Sequence, residues 1–151
     1  MTSAAMAYWL LKSEPDEWSW EDQVRAGTEV WDGIRNPEAV RNLRAMRRGD
    51  LAFFYHTGGE RRIVGIVEVV REAYPDPNDP RRVVVDVRAV QPLPRPVPLE
   101  EIRRDPALAH LALVRRPRLS VVPVDSASWR RLCRMGGLRA RSFPAAPRVV
   151  R

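Results

Sequence analysis

The chain has 151 residues, 44% of them apolar, which predicts one domain with a single core. Its formal net charge of +7 favours a polyanionic partner. Its only cysteine, Cys133, excludes an internal disulfide and a cysteine-based metal site, and no run of residues is apolar enough for a membrane span. The first residues lack the charged and apolar regions of a signal peptide, so we expect a cytoplasmic protein that does not associate with membranes.

The first predicted elements are a strand and a helix. Residues 7–11 are aromatic or apolar on both faces, which is typical of a buried strand, and Pro15 ends it. Ser19 is followed three residues later by an acidic residue, the arrangement of a helix N-cap, and the helix should run to about Ala26. Two tryptophans beside this cap are expected to pack the helix on the core: Trp18 and Trp20.

The stretch 30–37 concentrates chemically distinct side chains around a glycine. Asn36 and Pro37 are a typical N-cap and first residue of a helix. Trp31 offers a flat ring, and the nearby amide and the guanidinium of Arg35 can hydrogen-bond, so the stretch suits recognition of a flat polar heterocycle. Taken alone, the stretch also fits a core tryptophan beside a helix cap.

The basic residues are almost all arginine. The single lysine is Lys12, which suggests either a need for a compact ammonium group at the end of the first strand or a chance retention. Residues 37–48 are predicted to form a helix with one basic stripe, made of Arg41, Arg44 and Arg48. That stripe suits either a solvated face or a face turned towards phosphates.

A hairpin and a further strand are predicted in the middle of the chain. Residues 51–56 and 62–71 are rich in β-branched and aromatic side chains and are joined by a glycine-containing turn. Gly65 interrupts the second strand, as at a bend or bulge in a closing barrel. Residues 74–80 carry enough proline to predict a loop, and 83–90 form the next strand.

The C-terminal part is predicted to combine short helices with one strand. The helices are expected at 99–104 and 106–111, the strand at 119–124, and a last helix begins after an N-cap at Asp125. A basic, poorly patterned tail follows at 138–151. Together these elements predict an α+β domain whose four or five strands form a small, partly closed barrel rather than an open sheet.

The chain carries no recognisable catalytic or cofactor motif. His56 and His110 are its only histidines, and they have no partners at metal-ligand spacing. Nucleophile-elbow, phosphate-loop and dinucleotide fingerprints are absent, and Cys133 falls on an apolar helix face as a structural thiol would. We therefore expect a protein that is not an enzyme and has no catalytic residue, no cofactor and no metal.

Five motifs, none of which would suffice alone, together resemble the EVE domain family. They are YWLLKSEP at 8–15, WDGIRN at 31–36, GDLAFFYH at 49–56, VGIVEVV with AYPDP at 64–77, and RLSVVPV at 118–124. The resemblance implies a PUA-like pseudo-barrel of about five to six mostly antiparallel strands flanked by short helices, related to the YTH domains that read methylated adenine. It places the domain at 1–137 and leaves 138–151 as a tail.

The resemblance also implies a function. EVE domains are inferred to recognise modified bases, in particular modified cytosines, in DNA or RNA, and such a base must be single-stranded or flipped out of a helix. Carried onto this chain, which we expect to be a monomer, the resemblance implies a base pocket that consists of Lys12, Ser13, Trp31, Asn36, Tyr55 and His56. The flanking phosphates would be held by Arg35, Arg116 and Arg118.

Three alternative functions remain open at this point. The same pocket suits a free nucleoside or another heterocycle, which would make the protein a small-molecule binder. An enzyme acting on the held base would use His56 as its general acid or base. A protein-interaction module would use the basic tail at 138–151.

Overall fold

The computed structural model describes residues 6–139, and within that range a six-stranded sheet is flanked by five short helices. The strands are β1 (Tyr8–Ser13), β2 (Thr28–Trp31), β3 (Leu51–His56), β4 (Arg62–Asp76), β5 (Asp79–Pro98) and β6 (Val121–Val124). The helices are α1 (Trp20–Ala26), α2 (Pro37–Ala45), α3 (Leu99–Arg103), α4 (Ala112–Arg115) and α5 (Ser126–Met135), with a 3-10 turn at Pro106–Leu108.

The strands are hydrogen-bonded in the order β2-β5-β4-β3-β1-β6. β1 and β3 run parallel, and the other neighbouring pairs are antiparallel. The α+β class and the mostly antiparallel sheet with short flanking helices are thereby confirmed. Because β2 and β6 are both edge strands and do not pair, the sheet is not closed into the barrel that Gly65 suggested.

Helix α2 packs on the sheet beside its edge strand β6. It packs against β4, β5 and β6. The Asn42 amide donates to the carbonyl oxygen of Val121 at 2.8 Å, so a side chain of α2 satisfies part of the free edge of β6. The apolar residues of α2 that face the sheet, Ala39 and Leu43, are fully buried.

The three predicted helix N-caps are confirmed. Ser19 accepts from the Asp22 N–H at 3.1 Å in a complete capping box. Asn36 caps α2, and Asp125 accepts from the Ser128 N–H at 3.1 Å at the start of α5. These short polar side chains satisfy N–H groups that have no partner within their helix.

The predicted loop at 74–80 is wrong. β4 continues to Asp76 and β5 begins at Asp79, so the two strands form one long hairpin with a two-residue connection. Pro75 pairs with Val83 in this ladder, and irregularities in register on both sides of it accommodate the missing N–H. Tertiary pairing therefore overrides the local signal from proline.

Several other boundaries differ from the sequence prediction. β2 and α4 were not predicted, because each has only four residues. α2 ends at Ala45 rather than at 48, since Met46 turns to an extended conformation and buries its side chain. Arg48 therefore lies outside the helix that was expected to carry it. The predicted helix at 106–111 is only a 3-10 turn, and the last strand starts at Val121.

The C-terminal part of the domain packs on the core. Leu138, which was assigned to the tail, is buried, and its N–H donates to the Cys133 carbonyl at 3.0 Å. Cys133 itself is fully buried on α5, and burial raises the pKa of its thiol to about 12. The rest of the predicted tail, 140–151, lies outside the described residues.

Asp50 joins β1 to the turn that leads into β3. Its buried carboxylate accepts from the Ala7 N–H at 3.1 Å, the Trp9 indole N–H at 3.0 Å and the Arg47 N–H at 2.9 Å. Three donors compensate the desolvation of this charge. The side chain holds together two strands that are far apart in sequence.

The ring of Trp20 lies directly on the backbone of β4. A Cβ atom at Gly65 would come within 2.6 Å of the Trp20 ring, and register shifts flank this position in both neighbouring ladders. The Trp20 ring also contacts Phe54 edge-on, with the centroids 5.4 Å apart. Gly65 is thus required for the close approach of α1 to the sheet, in addition to marking the predicted bulge.

We expect Gly65→Ala to lower the free energy of unfolding by about 1–3 kcal/mol, because the added methyl group overlaps a packed ring. Urea denaturation followed by fluorescence measures the change. Gly59→Ala is the matched control, because a Cβ there meets no atom within 4 Å, and it should cause no loss of stability. Equal midpoints for the two variants would contradict the role assigned to Gly65.

Candidate functional site

A cavity of about 450 Å³ opens where the end of β1, the β1–α1 loop and β2 meet. Lys12 and Ser13 line it from β1. Trp18 lines it from the loop before α1, and Trp31 lines it from β2. This size is typical of small-ligand sites, and we call this cavity the tryptophan pocket.

Trp18 is held by hydrogen bonds at its backbone and at its ring. Its N–H donates to the Glu14 carbonyl at 2.9 Å, and its own carbonyl accepts from the Ser13 hydroxyl. The indole N–H donates to the Gln23 side-chain oxygen at 2.9 Å. The half-buried ring contacts no other aromatic ring among residues 6–139. Trp18 is therefore a fixed aromatic wall, and sequence reasoning had assigned it only to packing.

Trp31 is both a core residue and part of the pocket wall. It is 6% exposed and contacts Phe54 edge-on, with the ring centroids 5.5 Å apart. Its indole N–H makes no hydrogen bond within residues 6–139, and no buried side-chain nitrogen or oxygen in that range lacks a partner. The N–H must therefore reach solvent, so Trp31 retains a free hydrogen-bond donor.

Lys12 connects the tryptophan pocket to the loop before β6. Its ammonium group donates to the Pro117 carbonyl at 2.8 Å and lies 5.8 Å from the centroid of the Tyr55 ring. Burial lowers the pKa of this amine below its ordinary value of 10.5, because it disfavours the charged form. The hydrogen bond uses one of the three N–H donors of the ammonium group.

The structure brings three of the predicted base-pocket residues together in the tryptophan pocket: Lys12, Ser13 and Trp31. Asn36 lines a separate cavity of about 380 Å³ with residues 115–119, which we call the arginine cavity. The side-chain oxygen of Asn36 accepts from the N–H groups of Glu38 at 2.9 Å and Ala39 at 3.0 Å. Because the side-chain oxygen caps α2, only the side-chain amide nitrogen of Asn36 is available to a ligand.

Tyr55 and His56 are buried at the end of β3 and line neither cavity. His56 Nε2 accepts from the Trp20 N–H at 3.0 Å, and its Nδ1 lies 2.8 Å from a carboxylate oxygen of Glu60. The hydrogen bond from His56 is the main reason why the pKa of Glu60 is lowered. With both ring nitrogens engaged, His56 positions the start of α1 beside Trp18.

The three arginines predicted to bind phosphate differ in whether their guanidinium groups are already paired. Arg116 forms an ion pair with Glu38 of α2 through both guanidinium NH₂ groups. Arg35 and Arg118 are exposed and have no partner among the described residues. Arg115, which sequence reasoning did not select, lines the arginine cavity and is also unpaired within residues 6–139.

The tryptophan pocket has an acidic side that sequence reasoning missed. Four of the residues lining it are acidic: Glu14, Glu17, Glu29 and Asp32. None of these carboxylates has a hydrogen bond or ion pair among residues 6–139. The sequence already indicated an acidic region, since residues 14–32 contain seven acidic residues and one arginine in a chain of net charge +7.

Among residues 6–139, no group of three or more histidine, cysteine or acidic side chains is placed to hold a metal ion. None of the helices in that range has the length and apolar character needed to cross a membrane.

Comparison with known proteins identifies relatives of this chain. A family model described as the EVE domain matches residues 7–135. Mouse thymocyte nuclear protein 1 is 36% identical over 78% of this chain and 68% of its own length. A Rhodopseudomonas palustris protein solved by NMR has 50% identity and a TM-score of 0.84, covering 87% of this chain and 94% of that one. Human THYN1, crystallised with DNA containing 5-methylcytosine, has 30% identity and a TM-score of 0.76, covering 88% and 99%.

Lys12 offers a direct test of the pocket environment, because selective isotope labelling of the single lysine gives one side-chain NMR signal. We expect its titration midpoint to lie below the ordinary 10.5. The folded state then binds this proton less tightly than the unfolded state, so the free energy of unfolding rises with pH between the two pKa values. The same titration in urea is the control, and a folded midpoint at or above the unfolded one would contradict the burial of Lys12.

Proposed function

Because this chain belongs to the EVE domain family, we propose that it binds nucleic acid and recognises a modified base, in particular a modified cytosine, without transforming it. The observation that carries the proposal is a pocket walled by tryptophans beside a cavity lined by arginines. The crystal structure of human THYN1 with 5-methylcytosine DNA supports the choice of ligand.

The base would enter the tryptophan pocket and stack on Trp18. This ring is half-buried and its orientation is set by the bond to Gln23, so little conformational entropy is lost on stacking. The indole N–H of Trp31 and the hydroxyl oxygen of Ser13 offer a donor and an acceptor for the base edge. A base in such a cavity is outside a double helix, so the ligand is a single strand or a flipped nucleotide.

The phosphates would lie along the arginine cavity. One stacked base contributes about 1–3 kcal/mol, which is too little for tight binding by itself. Arg118 and Arg115 have unpaired guanidinium groups there, and the N-terminus of α2 at Asn36 adds a favourable dipole. Lys12 donates to Pro117 in the wall of this cavity, so the two parts of the surface adjoin.

Binding is favoured over catalysis by the state of the reactive side chains. His56 uses both ring nitrogens in structural contacts, so it has no free nitrogen to exchange a proton with a bound base. Cys133 is buried away from both cavities, and its thiol has a pKa of about 12. Neither group is placed as a nucleophile or base for the ligand.

We expect Trp18→Ala to weaken binding of a single-stranded oligonucleotide with one central 5-methylcytosine by about 1–3 kcal/mol, or roughly 5- to 150-fold in Kd. Fluorescence anisotropy with the methylated oligonucleotide and its unmethylated counterpart measures this change. Titration of free 5-methyldeoxycytidine in parallel tests whether the pocket serves a small molecule instead.

Tyr74→Ala is the control for the loss of an aromatic side chain. Tyr74 is half-buried on β4, lies over Arg71 and lines neither cavity, so binding should not change. A folded Trp18→Ala variant that binds as wild type would remove Trp18 from the site. Equal affinity for the free nucleoside and the oligonucleotide would favour the small-molecule function.

For the arginine cavity, we expect Arg115→Ala with Arg118→Ala to weaken binding to all oligonucleotides alike, because phosphates carry no base information. The dependence of log Kd on log salt should become shallower by about 0.7 for each lost contact to a single strand. Arg104→Ala is the control, since Arg104 is exposed, pairs with Glu100 and lies outside both cavities. Losses that depend on the base would show that these arginines read sequence instead.

A further inference from the structure

The unpaired carboxylates of this protein are concentrated around one site. All but six of its acidic side chains accept a hydrogen bond or form an ion pair within residues 6–139. The six exceptions lie in one short segment of the chain, and four of them line the tryptophan pocket. They are Glu14, Asp16, Glu17, Glu21, Glu29 and Asp32.

Glu29 differs from the other carboxylates in its position on the sheet. It lies two residues before Trp31 on β2, so the two side chains share one face of the strand. Their partners on β5 are Val87 and Val85, both fully buried, so this is the core-facing side of the sheet. Glu29 is half-buried on that face, and its carboxylate has no hydrogen bond or ion pair among residues 6–139, so it is available to a ligand in the pocket.

The remaining acidic residues of the pocket are less suited to contact a ligand directly. The carboxylate of Glu14 lies against the β3–β4 turn, where a Cβ at Gly58 would come within 2.8 Å of it. Glu17 and Asp32 are exposed. By contrast, Trp31 is more than nine-tenths buried and lines the same pocket, and its solvent-reaching indole N–H makes no hydrogen bond within residues 6–139.

We propose that Glu29 is the specificity-determining residue of the pocket and accepts a hydrogen bond from the exocyclic amino group of a cytosine-type base. The indole N–H of Trp31 donates to an oxygen or nitrogen acceptor of the same base edge. The inference rests on the proposed function, because it assigns the base edge that the pocket reads.

The geometry and the charge favour a 4-amino over a 4-oxo pyrimidine. Residues two apart on a strand are separated by about 7 Å, which allows two side chains to contact opposite ends of one base edge. Cytosine presents an amino donor followed by two acceptors, which complements a carboxylate and an N–H. Thymine presents a carbonyl oxygen at the same place, which a carboxylate repels.

Thymine provides a sharp test, because it carries the same 5-methyl group as 5-methylcytosine but a carbonyl in place of the amino group. We expect the wild-type protein to bind a single-stranded oligonucleotide with one central 5-methylcytosine about 10-fold more tightly than the same strand with thymine. In Glu29→Gln, this ratio should fall several-fold, because an amide can either donate or accept. Fluorescence anisotropy measures both affinities for each variant.

Glu21→Gln is the matched control. Glu21 is exposed on α1, also lacks a partner in the described range, and does not line the pocket. Both variants remove one negative charge and can strengthen binding to any polyanion, so the ratio of the two affinities is the readout. The ratio in Glu21→Gln should equal that of the wild type.

The outcomes separate this inference from the proposed function. If the wild type binds both oligonucleotides equally, or if Glu29→Gln keeps the wild-type ratio, the role of Glu29 is overturned while nucleic-acid binding stands. If the wild type binds no oligonucleotide, both proposals fail together. Circular dichroism of each variant establishes that the fold is retained, and Glu29→Asp, which keeps the charge on a shorter side chain, should retain the preference for the amino base.

Discussion

The contact between the Trp20 ring and the backbone of Gly65 fixes the position of α1 on the sheet. Only a residue without a side chain allows an aromatic ring to approach a strand this closely, at a point where a Cβ would lie 2.6 Å away. His56 reinforces the contact by accepting from the Trp20 N–H. Trp18 lies just before α1. The packing of Trp20 on Gly65 therefore also determines where Trp18 stands in the wall of the tryptophan pocket.

The surface around the two cavities has an acidic half and a basic half. On one side, unpaired carboxylates surround the tryptophan pocket, and on the other, unpaired guanidinium groups line the arginine cavity. Lys12 lies between them, with its ammonium group on the Pro117 carbonyl. A polyanion cannot lie across the acidic half at low cost, so in the proposed complex the pocket takes a group with hydrogen-bond donors and the backbone lies along the arginines.

Local chemistry predicted the features that depend on a few neighbouring residues. The caps at Ser19, Asn36 and Asp125 are confirmed because a short polar side chain meets free N–H groups within one helical turn. The loop expected at 74–80 is wrong because pairing between β4 and β5 extends through a proline. Tyr55 and His56 end one of the five family motifs, yet their side chains are buried and line neither cavity.

The sequence by itself determined the class of the fold, the three capped helix starts and the family, since these follow from local patterns and from motifs spread over most of the chain. Only the tertiary structure decided which side chains share a cavity. It joined Lys12, Trp18 and Trp31, separated Asn36 from them, and placed Glu29 beside Trp31 on the core-facing side of β2. The reason is that a strand's partner on the sheet determines which of its faces is buried, and β2 pairs with a strand more than fifty residues away.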